Sequence, residues 1–155
     1  MAMGGFAILA IAAAALAVVL AIRLMPSDPA VWHVPVSDGA AVQPGPCAGQ
    51  VRAQLGGARA ACLVPGEALG VLTRLSAIAS AYPRTTRLAG SPQEGRITWV
   101  SRSRLMGFPD YITAEAHQTP QGTRLDVLAR LRFGQGDMGV NAARLKLWLT
   151  ALDQT

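Results

Sequence analysis

Hydrophobic and polar positions divide this chain at Pro26. Residues 1–22 contain no charged side chain and are dominated by Ala, Leu, Ile and Val. A helix of that composition is apolar on every side, so no face of it prefers water. At a rise of 1.5 Å per residue, about 20 such residues cover the roughly 30 Å hydrocarbon core of a bilayer. The expectation is a retained transmembrane anchor over residues 1–25, whose removal leaves a soluble, folded domain. A cleavable signal peptide is the competing reading. It calls for a basic leading region and an apolar stretch of about 7–15 residues. Here nothing basic precedes the run, and no clear small-x-small cleavage site follows it. Arg23 is the only basic residue near the run. By itself it draws the following domain to the cytoplasm, but the N-terminal amine offsets it, and the expected location is outside the cytoplasm.

Beyond Pro26 the pattern becomes that of a folded domain. Pro26-Ser27-Asp28-Pro29 ends the apolar run, and Asp28-Pro29 suits the N-cap and first position of a short new helix. Residues 34–61 are rich in Gly, Ala and Pro without clear periodicity, which predicts a linker wrapping onto the domain. Over 66–81 the period is helical: Leu69, Val71, Leu72, Leu75, Ile78 and Ala79 recur at i, i+3 and i+4, with Glu67 in the first turn and Pro83 as the stop. Strand signals follow at 85–88, 96–102, 110–116 and, most strongly, 123–133. There Leu125, Val127, Ala129, Leu131 and Phe133 alternate with Arg124, Asp126, Arg130 and Arg132. A polar alternate face predicts an antiparallel sheet with one side on a core and the other wet. A second amphipathic helix over 140–152 carries Leu145, Trp148, Leu149 and Leu152. The predicted class is α+β: an anchor at 1–25, a linker and wrapping segment at 26–65, and a two-layer domain at 66–155. That domain is a roughly four-stranded antiparallel sheet covered by two helices.

Charge narrows the function classes. The net charge is +5, carried by 13 Arg against a single Lys. These arginines are spread along the chain among Asp and Glu, with no basic run and no aromatic-rich basic stretch, so nucleic acid is not an expected partner. A tethered basic domain instead suits an anionic membrane surface. Partners are therefore expected to be the lipid bilayer and a second membrane protein. Cys47 and Cys62 either close a loop of about 15 residues, worth about 3 kcal/mol in an oxidising compartment, or remain two separate thiols. With His33 and His117 as the only histidines, no spacing completes a metal site.

Candidate chemistry concentrates near the C-terminus. Gly134-Gln135-Gly136-Asp137-Met138-Gly139 is a literal G-x-G-x-x-G between a predicted strand and a predicted helix. Only 16 residues remain after Gly139, too few for a returning parallel strand, and Asp137 would repel a pyrophosphate. No cofactor is expected. The glycines instead permit a tight turn, and Asp137 or Asn141 caps the helix. No phosphate loop, nucleophile-elbow serine or paired metal-binding histidines occur. Arg102, Arg104, Arg130, Arg132 and Arg144 either converge on an anion or pair with Asp110, Asp126 and Asp137 on a solvated face. Trp99 and Trp148 read as core.

Three blocks together carry a resemblance. They are Pro26-Ser27-Asp28-Pro29 with Trp32-His33 after an anchor, the stretch Leu105-Met106-Gly107-Phe108-Pro109-Asp110-Tyr111, and the pattern R-F-G-x-x-D-x-G-V-N-x-x-R from Arg132 to Arg144, followed by Trp148-Leu149. The chain resembles the bacterial and plastid domain-of-unknown-function family numbered 1499, over most of its length after residue 65. Residues 44–65, with both cysteines, lie outside the pattern. The resemblance implies a small, often membrane-anchored domain and names no reaction. The expected function is a non-catalytic partner- or ligand-binding module, an accessory or assembly component of a membrane complex. Asp110, Arg132, Asp137, Asn141 and Arg144 are its candidate binding residues. The alternative is a membrane-associated enzyme using Asp110, Asp137 and neighbouring arginines.

Overall fold

A computed structural model describes the backbone of residues 2–39 and 41–155, and the side chains from Phe6 onward except at position 40. Helix α1 (Ala2–Leu24) projects from the domain. Its span Phe6–Leu24 has a mean hydropathy of 2.6 with no part buried. It is long and apolar enough to cross a membrane, a test that an N-terminal signal sequence also meets. Asp28 caps the four-residue helix α2 (Pro29–Trp32), accepting a hydrogen bond from the Ala30 amide at 2.9 Å.

The domain is one antiparallel sheet with two helices on one face. Its strands are β1 (Arg52–Gln54), β2 (Gly57–Val64), β3 (Thr85–Ser91), β4 (Arg96–Arg102), β5 (Pro109–Thr119) and β6 (Gly122–Leu131), in spatial order β1-β2-β6-β5-β4-β3. Helices α3 (Ala68–Ala81) and α4 (Val140–Asp153) cover the face formed by Ala58, Ala60 and Cys62 of β2, Ile97 and Trp99 of β4, Ile112 and Ala114 of β5, and Leu125, Val127 and Ala129 of β6. Trp99 and Trp148 meet edge to face at the centre of that core, ring centroids 5.7 Å apart. Leu69, expected on the apolar stripe of α3, is instead 49 % exposed.

Two expectations are corrected. The sheet has six strands rather than about four, because β1 and β2 lie in the stretch read as linker. The inward positions of β2 are largely Ala58, Ala60 and Cys62, residues of low strand preference. They fit because β2 packs where α4 comes close, and β2 pairs with β6 along its whole length from Gly57↔Arg130 to Val64↔Thr123. Cys47, in a single 3₁₀ turn (Cys47–Gln50), is bonded to Cys62, with Cα atoms 5.2 Å apart. The Asp153 carboxylate at the end of α4 accepts the Cys47 and Ala48 amides, each at 3.0 Å, and fixes the same turn.

The second correction concerns the polar sheet face, which is covered rather than wet. Residues 26–38 run across it as a strap. Trp32 stacks on Tyr111 with centroids 3.7 Å apart, and the Arg130 guanidinium lies 5.3 Å above the Trp32 ring. His33 Nδ1 and Thr98 Oγ1 are 2.9 Å apart. The Val36 and Ser37 amides donate to Glu115 Oε2 at 2.9 and 3.2 Å. Asp38 pairs with Arg59. Thr98, Tyr111 and Thr113 are consequently fully buried on a face whose alternation predicted water.

Candidate functional site

The start of β5 and the first turns of α4 bring three of the expected residues together. Asp110 shares the helix-facing parity of Ile112 and Ala114, and its register partner is Leu131 at the end of β6. Asn141 and Arg144 stand three residues apart on α4, one above the other on the same helix face. Arg144 Nη1 donates to Asp110 Oδ2 at 3.2 Å and also to Asn141 Oδ1, while Asn141 Nδ2 donates to Asp110 Oδ2 at 3.3 Å. All three residues are buried. Burial pushes the Asp110 carboxyl above its ordinary value, and the pull of Arg144 and Asn141 only partly offsets it. Arg144 Nε is enclosed without a partner among the described residues.

Asp137 performs the capping expected of it. Gly139 at φ 83° and Met138 at φ 52° turn the chain sharply into α4. Glycine takes that left-handed conformation without the Cβ clash other residues meet. The Asp137 carboxylate accepts the Gly139 amide at 3.0 Å and the Asn141 amide at 2.7 Å. Burial alone would raise its pKa, but these amides outweigh burial and hold it below the usual carboxylate range.

Arg132 does not join this group. It lies on the strap face, where its Nη1 donates to the Pro26 carbonyl at 2.7 Å and to the Tyr111 hydroxyl at 2.9 Å. The arginines weighed as one cluster therefore serve three places: Arg144 the α4 side, Arg130 and Arg132 the strap side, and Arg102 and Arg104 the loop after β4. Asp126 is paired with Arg124 at 2.7 Å.

Asp110 and Asp137 lie at the edge of a groove of about 500 Å³ that is lined mainly by Phe108, Leu131, Phe133, Met138 and Val140. Met138 is fully exposed and Phe108 and Phe133 lie 5.6 Å apart between ring centroids. A larger cavity of about 690 Å³ lies at the far end of the sheet beside Val64, Pro65 and Arg74, and contains none of the expected residues. Among the described residues, no group of three His, Cys, Asp or Glu side chains is placed to hold a metal ion.

Sequence reasoning named Trp32, His33 and Arg130 without joining them, and passed over Arg96 and Glu115, which complete the strap network with them. The one signal for it was an aromatic and a histidine directly after a helix cap, in a segment otherwise resembling linker. Burial, and next the charge of Arg96, lower the pKa of His33. Burial lowers that of Arg130, whose guanidinium has the Trp32 carbonyl and Thr113 as partners.

No curated relative matches the chain. Residues 58–152, from β2 through α4 and so including Asp110, Asp137, Asn141 and Arg144, match the family described as Protein of unknown function (DUF1499), and the chain belongs to that family.

Proposed function

We propose that this chain is a single-pass membrane-anchored protein whose domain binds a partner without chemistry, as an accessory or assembly component of a membrane complex. The observation that carries this reading is the character of the groove beside α4. Its open part is apolar, through Phe108, Phe133, Met138 and Val140, and its carboxylates are already committed to Arg144, Asn141 and two backbone amides. An exposed apolar surface of this kind marks a docking site. The loop on its rim, between β4 and β5, also touches the last turn of α1 through the Arg23–Leu105 hydrogen bond of 2.7 Å. The occupant is therefore an apolar segment of another membrane protein. The domain is assigned to the side away from the cytoplasm, a reading supported by the Cys47–Cys62 bond, since such bonds persist in oxidising compartments.

Co-purification of the full chain from its native membrane in mild detergent tests this reading. Met138→Glu should remove the partner, while Leu147→Glu, on the exposed side of α4, should not. Recovery of the same partner with both variants refutes the groove assignment. A mature protein whose intact mass begins beyond residue 25 refutes the retained anchor. One observation favours the second reading, an enzyme: Asp110 combines a raised pKa with a place in a groove. That reading requires an activity that Asp110→Asn abolishes without unfolding the domain.

A further inference from the structure

One end of the sheet carries positive charge that, among the described residues, no carboxylate pairs with. Arg23 in the last turn of α1, Arg84 before β3, Arg102 at the end of β4 and Arg104 in the next loop line a single recess of about 360 Å³. Among the described residues, the arginines in ion pairs are Arg59, Arg96, Arg124 and Arg144, and none of these four. Three of them donate to backbone carbonyls. Arg23 Nη2 donates to Leu105 at 2.7 Å, Arg84 Nε to Arg102 at 3.2 Å and Arg102 Nη1 to Gly107 at 3.0 Å. Each guanidinium has five donors, so most of those on Arg23, Arg84 and Arg104 remain open. Four like charges around one recess repel one another, and an anion between them turns that repulsion into attraction.

The position of the recess identifies the anion. Arg102 also reaches the carbonyls of Ile22 and Met25, at 3.4 and 3.5 Å. Gly107 lies so close to α1 that a Cβ added there would stand 2.6 Å from Arg23 Cγ. Arg23 itself is the penultimate residue of the apolar span Phe6–Leu24. If that span crosses the bilayer, the recess lies at the level of the lipid headgroups. Leu105, 81 % exposed, stands beside it on the same loop.

We propose that this recess binds the phosphate of an anionic phospholipid in the leaflet from which the domain emerges, while Leu105 enters the acyl boundary beside it. The guanidinium fork matches phosphate oxygens in pairs, and basic side chains next to a membrane span attract anionic lipid. The proposal goes beyond the docking groove and rests on the retained anchor. With the headgroup bound, the domain is held at a fixed tilt on the membrane.

The test uses the full chain in mixed micelles holding equal amounts of phosphatidylglycerol and phosphatidylcholine, with retained lipid read by native mass spectrometry. The wild type is expected to retain phosphatidylglycerol in preference. Arg84→Gln and Arg104→Gln should each reduce that preference about fivefold. Equal retention of both lipids by the wild type overturns the proposal, as does an unchanged preference in both glutamine variants. Displacement of the retained lipid by millimolar inorganic phosphate overturns the headgroup assignment in favour of a soluble anion. The same spectra report whether residues 1–25 are present, which separates failure of this site from failure of the anchor reading.

Discussion

Glu115→Gln probes how firmly the strap of residues 26–38 is held. Glu115 sits mid-strand in β5, only 4 % exposed, on the face away from the helices. One carboxylate oxygen accepts Arg96 Nε at 3.0 Å and Nη2 at 2.8 Å, and the other accepts the Val36 and Ser37 amides at 2.9 and 3.2 Å. Glutamine keeps the shape but offers one acceptor and one donor end. Whichever way it turns, two donors face an amide NH2 and two charge-assisted bonds are lost. At about 1.5–3 kcal/mol for each bond to a charged group, the gross loss is about 3–6 kcal/mol. The Arg96 side chain is 26 % exposed, so water replaces part of its share. A net cost of about 3 kcal/mol is expected.

Urea unfolding of the detergent-solubilised chain, followed by tryptophan fluorescence, measures that cost, and limited proteolysis reads the strap directly. The variant should be cut within residues 26–38 faster than the wild type. A pH series adds an independent check. Burial alone would raise the Glu115 pKa, but the Val36 and Ser37 amides and Arg96 outweigh it and hold the carboxyl below its ordinary value of 4.5. A carboxyl with a depressed folded-state pKa contributes stability that is fully present above its unfolded value and lost as pH falls through the folded one. The wild type should therefore lose its advantage over Glu115→Gln from about pH 5 downward. Asp137, depressed in the same direction, is present in both proteins and cancels from the comparison. A cost below about 0.5 kcal/mol, within the ordinary range of a surface substitution, with unchanged proteolysis of the strap, would refute the reasoning.

Three further outcomes are expected. Asp137→Ala should cost about 1–2 kcal/mol in denaturant unfolding through the lost cap on α4; unchanged stability with loss of the cellular role would make the turn a functional site. Trp148→Ala should cost about 3–5 kcal/mol, because the indole is 1 % exposed and packs between Tyr82 and Trp99. Thiol counting on freshly isolated, unreduced protein should find none free, and reduction should lower stability by about 3 kcal/mol for a loop of this length; two free thiols would contradict the bond.

The three longer helices and strands β4, β5 and β6 were legible because apolar residues recur at the period of each element, whereas β3, with Leu88 as its one large apolar residue, left only a short signal. The predicted span 96–102 coincides with β4, and α4 begins at Val140 as its spacing requires. What escaped was structure built from small or polar residues. β2 offers alanines where strand patterns look for branched and aromatic side chains, and its partner β6 is distant in sequence, so its pairing left no local mark. The strap escaped for a related reason. Polar alternation on β4, β5 and β6 reports only that the second face is not hydrocarbon. Water satisfies such a face, and so does a segment bringing its own carbonyls, amides and an aromatic ring, as Trp32 does over Arg130 and Tyr111.

Parity explains why the candidate site was only partly legible. Asp137, Asn141 and Arg144 fall within eight residues of one turn and one helix, where local spacing alone brings them together, and Asp110 joins them because it shares the parity of Ile112. Arg132 adjoins the same motif but lies between Leu131 and Phe133, which continue the helix-facing row of β6. Successive side chains of a strand point to opposite faces, so the alternation that made β6 the strongest strand signal already turned Arg132 toward the strap. The recess of Arg23, Arg84, Arg102 and Arg104 had no such signature, since three separate segments build it and α1 contributes one residue. Proximity in sequence recovers the residues of a single turn, whereas a recess assembled from three separate segments becomes apparent only once the fold has brought its arginines together.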